Sequence, residues 1–233
     1  MKNLPKIKNP PTLKLLAYNT IKNAIISQKL QPGIIYNEKK LADEMGISKT
    51  PVREALMDLA SKGFVTFIPR KGIMINQLDK KDIINLYEVR EALEVAAVKL
   101  ITKKISDEDI QKIKEIHNKG LKAVQSKIDS ISYLKLDREF HSIIAKLTGN
   151  NYLKEALENI RDLIDWMGMK ALTRQARMKE VEAEHHRIVE MIEKRDVKKA
   201  MFMMELHIEI TKKKVLERIF PSQQEEEFYE NRY

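Results

Sequence analysis

The sequence predicts a mainly α-helical protein in which an N-terminal winged helix-turn-helix precedes a C-terminal antiparallel α-helical bundle. Between Pro32 and Gly72 it reads as two short helices joined by a tight turn and followed by a β-hairpin. From about residue 80 to 218 the apolar spacing is helical throughout. Aromatic residues make up only 6% of the chain, with seven glycines and seven prolines, which favours helices over an all-β fold. We expect the winged helix-turn-helix at 1–76, the helical domain at 77–220 and a flexible tail at 221–233.

The composition excludes several classes of protein and separates the two parts by charge. The chain has no cysteine, which rules out disulfides, cysteine zinc fingers and thiol nucleophiles. It has no apolar run long enough to span a bilayer, so we expect a cytoplasmic protein without a membrane partner. Residues 1–76 hold 13 basic and 5 acidic residues, a net charge of +8 out of a total of +9. That asymmetry favours a first domain that meets phosphate groups and a second that does not.

The first helix is predicted over residues 12–28 and ends at Gln31–Gly33. Its apolar residues fall on roughly one face. They are Leu13, Leu16, Ile21, Ala24 and Ile25. A second short helix is predicted at Glu38–Met45, where the small Ala42 permits close approach of another helix, and Gly46 supplies the turn that a side chain would hinder.

The third helix begins with a good N-cap residue, Ser48, and carries Pro51 in its first turn, where a missing N–H costs little. Its inward face is apolar. That face consists of Val52, Ala55, Leu56 and Leu59. Lys49, Thr50 and Arg53 lie near the N-terminal end on the outer side, the end with which a recognition helix reads base edges. Arg53 can donate a bidentate pair to guanine, worth about 1–3 kcal/mol of discrimination. The alternative is that Lys49 and Arg53 form an ordinary solvated pair.

A β-hairpin follows, with strands predicted at Phe64–Ile68 and Gly72–Ile75. Its tip, Pro69-Arg70-Lys71, carries two positive charges suited to a phosphate or minor-groove contact. Gly72 allows a close approach of the backbone.

The run LQPGIIYNEKKLADEMGISKTPVREALMDLASKGFVTFIPRKGIMI resembles the DNA-binding domain of the GntR superfamily of bacterial transcription regulators. The TPVREAL heptad and the PRKG wing carry the resemblance. It implies DNA contacts at Lys39, Lys49, Thr50, Arg53, Arg70 and Gly72. Lys39 and Lys49 stand where arginine is usual in the family, and lysine cannot make the forked contact of arginine.

The remainder is predicted to form about six helices with short connections, a helical bundle. The breaks fall near Lys103–Ser106, Lys127–Ser130, Gly149–Asn151, Thr173–Arg177 and Arg195–Asp196.

Four polar residues on apolar helix faces of this bundle suggest a metal site. Asp137 and His141 are four residues apart and share a helix face, while His185 and His207 lie beside apolar residues on later helices. Three imidazole nitrogens and one carboxylate oxygen suit Zn²⁺, Ni²⁺, Mn²⁺ or Fe²⁺, and we favour Zn²⁺ or Ni²⁺. The alternative is that each histidine is a satisfied core or surface residue.

The segments LDREFHSIIAKLTGNNYL, EHHRIVEMIEKRD and AMFMMELHIEI resemble the FCD effector domain of FadR-type GntR regulators. The metal-binding branch of that family implies the ligands Asp137, His141, His185 and His207 here. His186 is the alternative to His185, which we favour because Glu184-His185 followed by Ile188 and Ile192 keeps the spacing of the family. His186 and His117 are expected to be solvated. The resemblance also suggests that Arg90 faces the cavity, where it would bind a small carboxylate. The alternative for Arg90 is a surface pair with Glu94.

These features predict a bacterial transcription regulator, not an enzyme, that acts as a homodimeric repressor on a palindromic operator of double-stranded DNA. A small organic acid bound at the metal and Arg90 would shift the equilibrium between two packings of the bundle. Two alternatives remain open at this point: a helical metalloenzyme tethered to a DNA-binding module, and a regulator with a purely structural metal.

Overall fold

The computed structural model describes residues 11–171 and 175–221, and the chain divides into two compact units between Gln77 and Leu78. Beyond Pro221 the expected flexible tail lies outside the described residues. In the N-terminal unit the elements are α1 (Leu13–Ile26), β1 (Ile35–Tyr36), α2 (Glu38–Glu44), α3 (Lys49–Ser61), β2 (Val65–Ile68) and β3 (Gly72–Ile75). In the C-terminal unit they are α4 (Lys80–Thr102), α5 (Asp107–Gln125), α6 (Ser130–Leu147), α7 (Asn151–Ala171), α8 (Gln175–Glu193) and α9 (Val197–Ile219).

The N-terminal unit is a winged helix-turn-helix, as predicted. Helix α3 supplies the centre of its core, since Val52, Leu56 and Leu59 are completely buried. Asn37 caps α2 by accepting hydrogen bonds from the backbone of Lys39 and Lys40. Ser48 occupies the N-cap position of α3, but its side chain makes no capping hydrogen bond.

The buried face of α1 differs from the predicted one. Ala17, Ile21 and Ile25 form a stripe at four-residue spacing that packs against α3, whereas Leu13 and Leu16 are about half exposed. Leu13 stands one turn beyond the end of that stripe and Leu16 lies to its side, so neither reaches the core.

The sheet has a third strand that the sequence pattern did not predict. Strand order is β1-β3-β2, all antiparallel, with Ile35 opposite Met74 and Tyr36 opposite Ile73. Two residues are too few to show an alternating pattern. Close packing of β1 against β3 explains Gly72: its φ is +132°, and a Cβ atom there would collide with the backbone carbonyl of Tyr36.

The C-terminal unit is a helical bundle of six helices within the described residues, which confirms the predicted fold class, and four of the predicted breaks fall between these helices. The break predicted near Thr173–Arg177 falls partly on residues 172–174, outside the described residues, and Gln175–Arg177 already belong to α8. Helix α4 packs along α9. Helices α6, α7 and α8 pack against this pair, and together they enclose a large apolar core.

Side chains at the N-caps fix several helix starts. Asp79 forms a capping box with Asp82 in the first turn of α4, and Ser106, Asp129 and Asp196 cap α5, α6 and α9. None of the described helices has the length and apolar character needed to cross a membrane.

We predict that Gly72→Ala weakens the sheet more than a matched glycine substitution does. The new methyl group forces β1 and β3 apart and also strains a positive φ, which should lower the opening free energy of the β3 amides by about 3 kcal/mol. Hydrogen exchange followed by mass spectrometry measures this quantity.

Gly46→Ala is the control, because Gly46 also has a positive φ, +66°, but has no atom within 4 Å of an added Cβ. This substitution should lower the opening free energy by only about 1 kcal/mol, because it strains the backbone without a steric clash. Equal losses in the two variants would contradict a steric role for Gly72.

Candidate metal centre and nucleic-acid interface

Three histidines from three helices meet in the interior of the C-terminal unit. His141 of α6, His185 of α8 and His207 of α9 each offer one ring nitrogen, and these nitrogens all lie within 4.8 Å of one another. The three side chains are 0–2% exposed. This triad can hold a metal ion, and it contains His185 rather than its exposed neighbour His186.

The spacing of the nitrogens matches that of ligands around one metal ion. His141 Nε2 lies 3.3 Å from His207 Nε2. Two nitrogens bound to the same ion at about 2.1 Å are separated by about 3.0–3.4 Å, depending on the coordination geometry. Asp137 Oδ1 lies beside two of these nitrogens, 3.6 Å from His185 Nε2 and 3.9 Å from His141 Nε2. Among the described residues, the group of donor atoms within 4.8 Å of one another contains the three histidines and not Asp137.

Two buried carboxylates contact the Nδ1 atoms of two histidines of the triad. Glu94 Oε2 is 2.6 Å from His141 Nδ1, and Glu184 Oε2 is 2.7 Å from His207 Nδ1. An ionised carboxylate can only accept, so each Nδ1 carries the proton and each Nε2 is left as an acceptor, that of His141 lying 3.2 Å from Arg90 Nη2. His185 Nε2 is fully buried and has no hydrogen-bond partner among the described residues, and its ring stacks on Phe140 at 3.9 Å.

A histidine and an arginine together keep each of these carboxylates ionised. Burial by itself raises the pKa of Glu94, but His141 and Arg90 outweigh burial and hold the pKa well below its usual range. Arg90 Nε lies 3.2 Å from Glu94 Oε1, and its Nη2 is 3.2 Å from His141 Nε2. Burial likewise raises the pKa of Glu184, whereas His207 and the forked contact from Arg177 lower it below its usual value. Each carboxylate therefore stays available as an acceptor for its imidazole.

Two of the imidazoles are held neutral, which is the form that binds metals. Burial lowers the pKa of His185 well below its ordinary value, and the neighbouring His207 and His141 lower it further. Burial also lowers the pKa of His207, although Glu184 opposes the shift. The donor set, two carboxylate-backed imidazoles, one orphaned buried nitrogen and Asp137, fits a divalent transition metal.

The space beside the centre is small. Arg90, Asp137 and His207 line it, together with Tyr87, Arg177 and Thr211, and it has a volume of about 20 Å³. That is room for roughly one water molecule. Two guanidinium groups border it, and the buried Tyr87 hydroxyl makes no hydrogen bond to any described residue. The lining is thus suited to an anion, but an organic acid enters only if the helices move.

Some predictions about individual residues in this unit need correction. The Arg90–Glu94 pair exists, yet it is buried instead of lying on the surface, with 3% and 1% of each residue exposed. His186 is exposed as expected, but the prediction that His117 is solvated is wrong. His117 is buried because α5 packs against α8, which places its Nδ1 2.9 Å from Glu182 Oε2.

Sequence reasoning missed the groups behind the ligands. Glu184 directly precedes His185, and Arg177 lies seven residues, two turns, before Glu184 on the same face of α8. The sequence identifies Glu94 only as the i,i+4 partner of Arg90. No local pattern joins Glu94 of α4 to His141 of α6, because the pairing depends on how the two helices cross.

On the N-terminal unit, the side chains predicted to contact DNA are all exposed. They are Lys39, Lys49, Thr50, Arg53 and Arg70. A cleft of about 390 Å³ lies between the start of α3 and the wing, and Lys49, Arg53 and Arg70 line it. Gly72 also lines this cleft, but the close packing of β1 against β3 already explains why a glycine stands there.

Arg53 is held in place by the start of α2. Its Nη1 lies 3.2 Å from both carboxylate oxygens of Glu38, and its guanidinium lies 5.8 Å from the centre of the Phe67 ring. Lys49 Nζ is 3.9 Å from the same carboxylate. The two basic residues therefore share Glu38 instead of forming an isolated solvated pair.

Comparisons with known proteins agree with both halves of this description. The family model described as "Bacterial regulatory proteins, gntR family" matches residues 13–75, and that of the FCD domain matches residues 85–210. The HTH-type transcriptional regulator YdhC of Bacillus subtilis is 29% identical over 191 residues, 82% of this chain and 85% of that protein. The Nta operon transcriptional regulator of Aminobacter aminovorans is 32% identical over 152 residues, 62% of this chain and 71% of that protein.

A solved structure shares the fold. That of McbR/YncC of Escherichia coli has a TM-score of 0.75 and 20% sequence identity, and the match covers 90% of this chain and all of that one.

We predict that Glu94→Gln lowers the affinity for Zn²⁺ by about 10–100-fold, the usual effect of removing a carboxylate that orients a ligating histidine. The amide keeps the size of the side chain but loses the charge that balances Arg90 and polarises His141. Competition with a chromophoric chelator measures the affinity.

Glu88→Gln removes an exposed carboxylate from the same helix, and it should bind Zn²⁺ like the wild type. If Glu94→Gln also bound like the wild type, Glu94 would have no part in orienting a ligand.

Proposed function

Since the chain belongs to the GntR family of bacterial regulatory proteins and carries an FCD domain, we propose that a small carboxylate bound at a metal site controls its affinity for DNA. The protein is a DNA-binding transcription regulator, and its curated relatives are regulators and not enzymes. The observation that supports metal-dependent control is the buried triad of His141, His185 and His207 beside two arginines.

In this proposal Asp137, His141, His185 and His207 hold the ion. Three nitrogens and one oxygen without sulfur favour Zn²⁺ or Ni²⁺, with Mn²⁺ and Fe²⁺ as further candidates. A bound divalent ion supplies positive charge that attracts a carboxylate. Arg90 orients that carboxylate through its guanidinium fork.

In this proposal, binding of an acid must be coupled to a change in the packing of the bundle. A space of about 20 Å³ cannot hold an organic acid, so binding requires a second packing of the helices around it. The four proposed ligands lie on α6, α8 and α9, so such a repacking changes the arrangement of three helices at once. The acid shifts the equilibrium by its difference in affinity for the two packings.

We further propose that the protein acts as a homodimer on a palindromic operator and that it represses transcription. One recognition helix reads one half-site, and two-fold symmetry of the protein then matches a palindrome. Lys39, Lys49, Thr50, Arg53, Arg70 and Gly72 are the proposed contacts, with the lysines on phosphate and Arg53 on a base edge.

A purely structural metal is the second candidate, and the small cavity favours it. If four protein ligands close the coordination shell, the ion stabilises the bundle and leaves no position for an acid. The two candidates differ in whether the metal-loaded protein binds an organic acid.

The deciding experiment starts with elemental analysis of the wild type beside His185→Ala and His207→Ala. We expect about one equivalent of metal at this centre in the wild type and none in either variant, together with a lower melting temperature after chelation. Calorimetric titration of the metal-loaded wild type with a panel of small mono-, di- and tricarboxylates then separates the candidates. Binding of an acid that also changes operator affinity supports the switch, whereas metal without acid binding supports the structural role.

We predict that Arg53→Lys lowers the affinity for an operator, selected by the wild type from random sequences, by about 1–3 kcal/mol and relaxes the preference at one base pair. Lysine keeps the charge but lacks the fork. Fluorescence anisotropy with the operator and with single-base variants measures both effects.

Lys49→Ala provides the contrast. A phosphate contact contributes equally to all sequences, so we expect a uniform loss of affinity and a salt-dependence slope smaller by about one. If Arg53→Lys weakened all sequences equally, Arg53 would be a phosphate contact and not a base-reading residue.

A further inference from the structure

Helix α4 leaves an apolar face exposed on the C-terminal unit. Val89 and Leu100 are large apolar residues that are 49% and 38% exposed. Ala92 is also exposed, and Leu93 and Ala96 are half-buried. Their spacings of three and four residues place all five on one side of the helix. We call these five residues the α4 face, and an exposed apolar patch of this kind marks a contact with another protein.

Two charges of opposite sign flank the α4 face. Glu88 and Lys99 are exposed, and neither forms an ion pair with any other residue that the structure describes. They stand 11 residues apart, which is three turns and about 16 Å of helix, so both lie on the same side of α4. Other exposed lysines of the bundle pair with a carboxylate one turn away, as Lys112 does with Glu108. The two charges beside the α4 face remain available to a partner.

The arrangement of the face is nearly symmetric about the level of Glu94. Val89 and Leu100 stand on either side of that level, and so do Ala92 and Ala96. The charges follow the opposite rule, since the acidic residue lies on the N-terminal side and the basic residue on the C-terminal side. A second α4 helix that runs antiparallel therefore presents an apolar residue to each apolar residue, and a charge of opposite sign to each charge.

This complementarity selects the antiparallel arrangement of two identical helices. It places Ala92 opposite Ala96 of the second copy, where small side chains allow the helix axes to approach closely. Val89 and Leu100 bury apolar surface against each other at both ends. A parallel arrangement would instead place Glu88 against Glu88 and Lys99 against Lys99, and opposed like charges weaken an interface.

We propose that the α4 face is the surface through which the C-terminal units of two copies of this chain pair, antiparallel and across a two-fold axis. The inference rests on the homodimer of the proposed function and adds the surface that forms it. Glu88 of each copy pairs with Lys99 of the other. Because a two-fold interface contains every contact twice, one substitution alters two contacts in the dimer.

The test is a charge exchange, followed by sedimentation equilibrium of the full-length protein over a range of concentrations. Glu88→Lys and Lys99→Glu should each raise the dissociation constant of the dimer by at least about tenfold, because each creates two contacts between like charges. In an equimolar mixture of the two variants, every charge meets one of opposite sign. The mixture should therefore form a heterodimer with about the affinity of the wild type, which native mass spectrometry detects when one variant carries ¹⁵N.

Two further variants complete the test, and circular dichroism establishes that each is folded. Ala92→Arg adds a large side chain at an exposed position, so the monomer accommodates it, but the dimer should weaken at least about tenfold because the helices cannot approach. Glu115→Lys reverses an exposed charge on α5 and should leave the dissociation constant unchanged.

The outcomes separate the surface from the homodimer itself. A dimeric wild type whose dissociation constant is unchanged in Glu88→Lys and Lys99→Glu would overturn the α4 face and leave the homodimer standing. The same holds if the mixture fails to form a heterodimer, or if Glu115→Lys weakens the dimer equally. A monomeric wild type would overturn both the surface and the homodimer.

Discussion

The C-terminal bundle depends on charges that cannot be left unpaired. Glu94 and Glu184 are buried anions, each placed between an arginine and an imidazole, and these contacts join α4 to α6 and α8 to α9. Removing one partner of such a network leaves an uncompensated charge in the interior, which costs about 3–5 kcal/mol. The helices that carry the histidines are therefore fixed in register by electrostatics as well as by apolar packing, and the triad is pre-organised for a cation.

The N-terminal unit places its charges differently, and the difference matches its task. Its basic residues remain exposed around the cleft between α3 and the wing, where phosphate can reach them. Glu38 contacts the Arg53 guanidinium without burying it, so this side chain stays accessible at the surface. The N-terminal unit thus keeps its positive charges at the surface, whereas the C-terminal unit buries a network of opposite charges.

Local patterns predicted the elements well because the forces that start and stop them are local. Capping side chains, the Gly46 turn and apolar spacing all act within a few residues. The errors arose where an element depends on a distant partner: β1 exists only by pairing with β3, and the exposure of Leu13 and Leu16 is set by how α1 meets α3.

By itself, the sequence determined the fold class, the outward placement of Lys49, Thr50 and Arg53, and the residue types capable of holding a metal. Helical spacing indicates which side chains share a face, but not what that face meets across the core. Only the tertiary structure decided that Glu94 and Glu184 back His141 and His207, and that the cavity is nearly filled. It also decided that His117 is buried, because that depends on the packing of α5 against α8, a contact between residues about 65 positions apart.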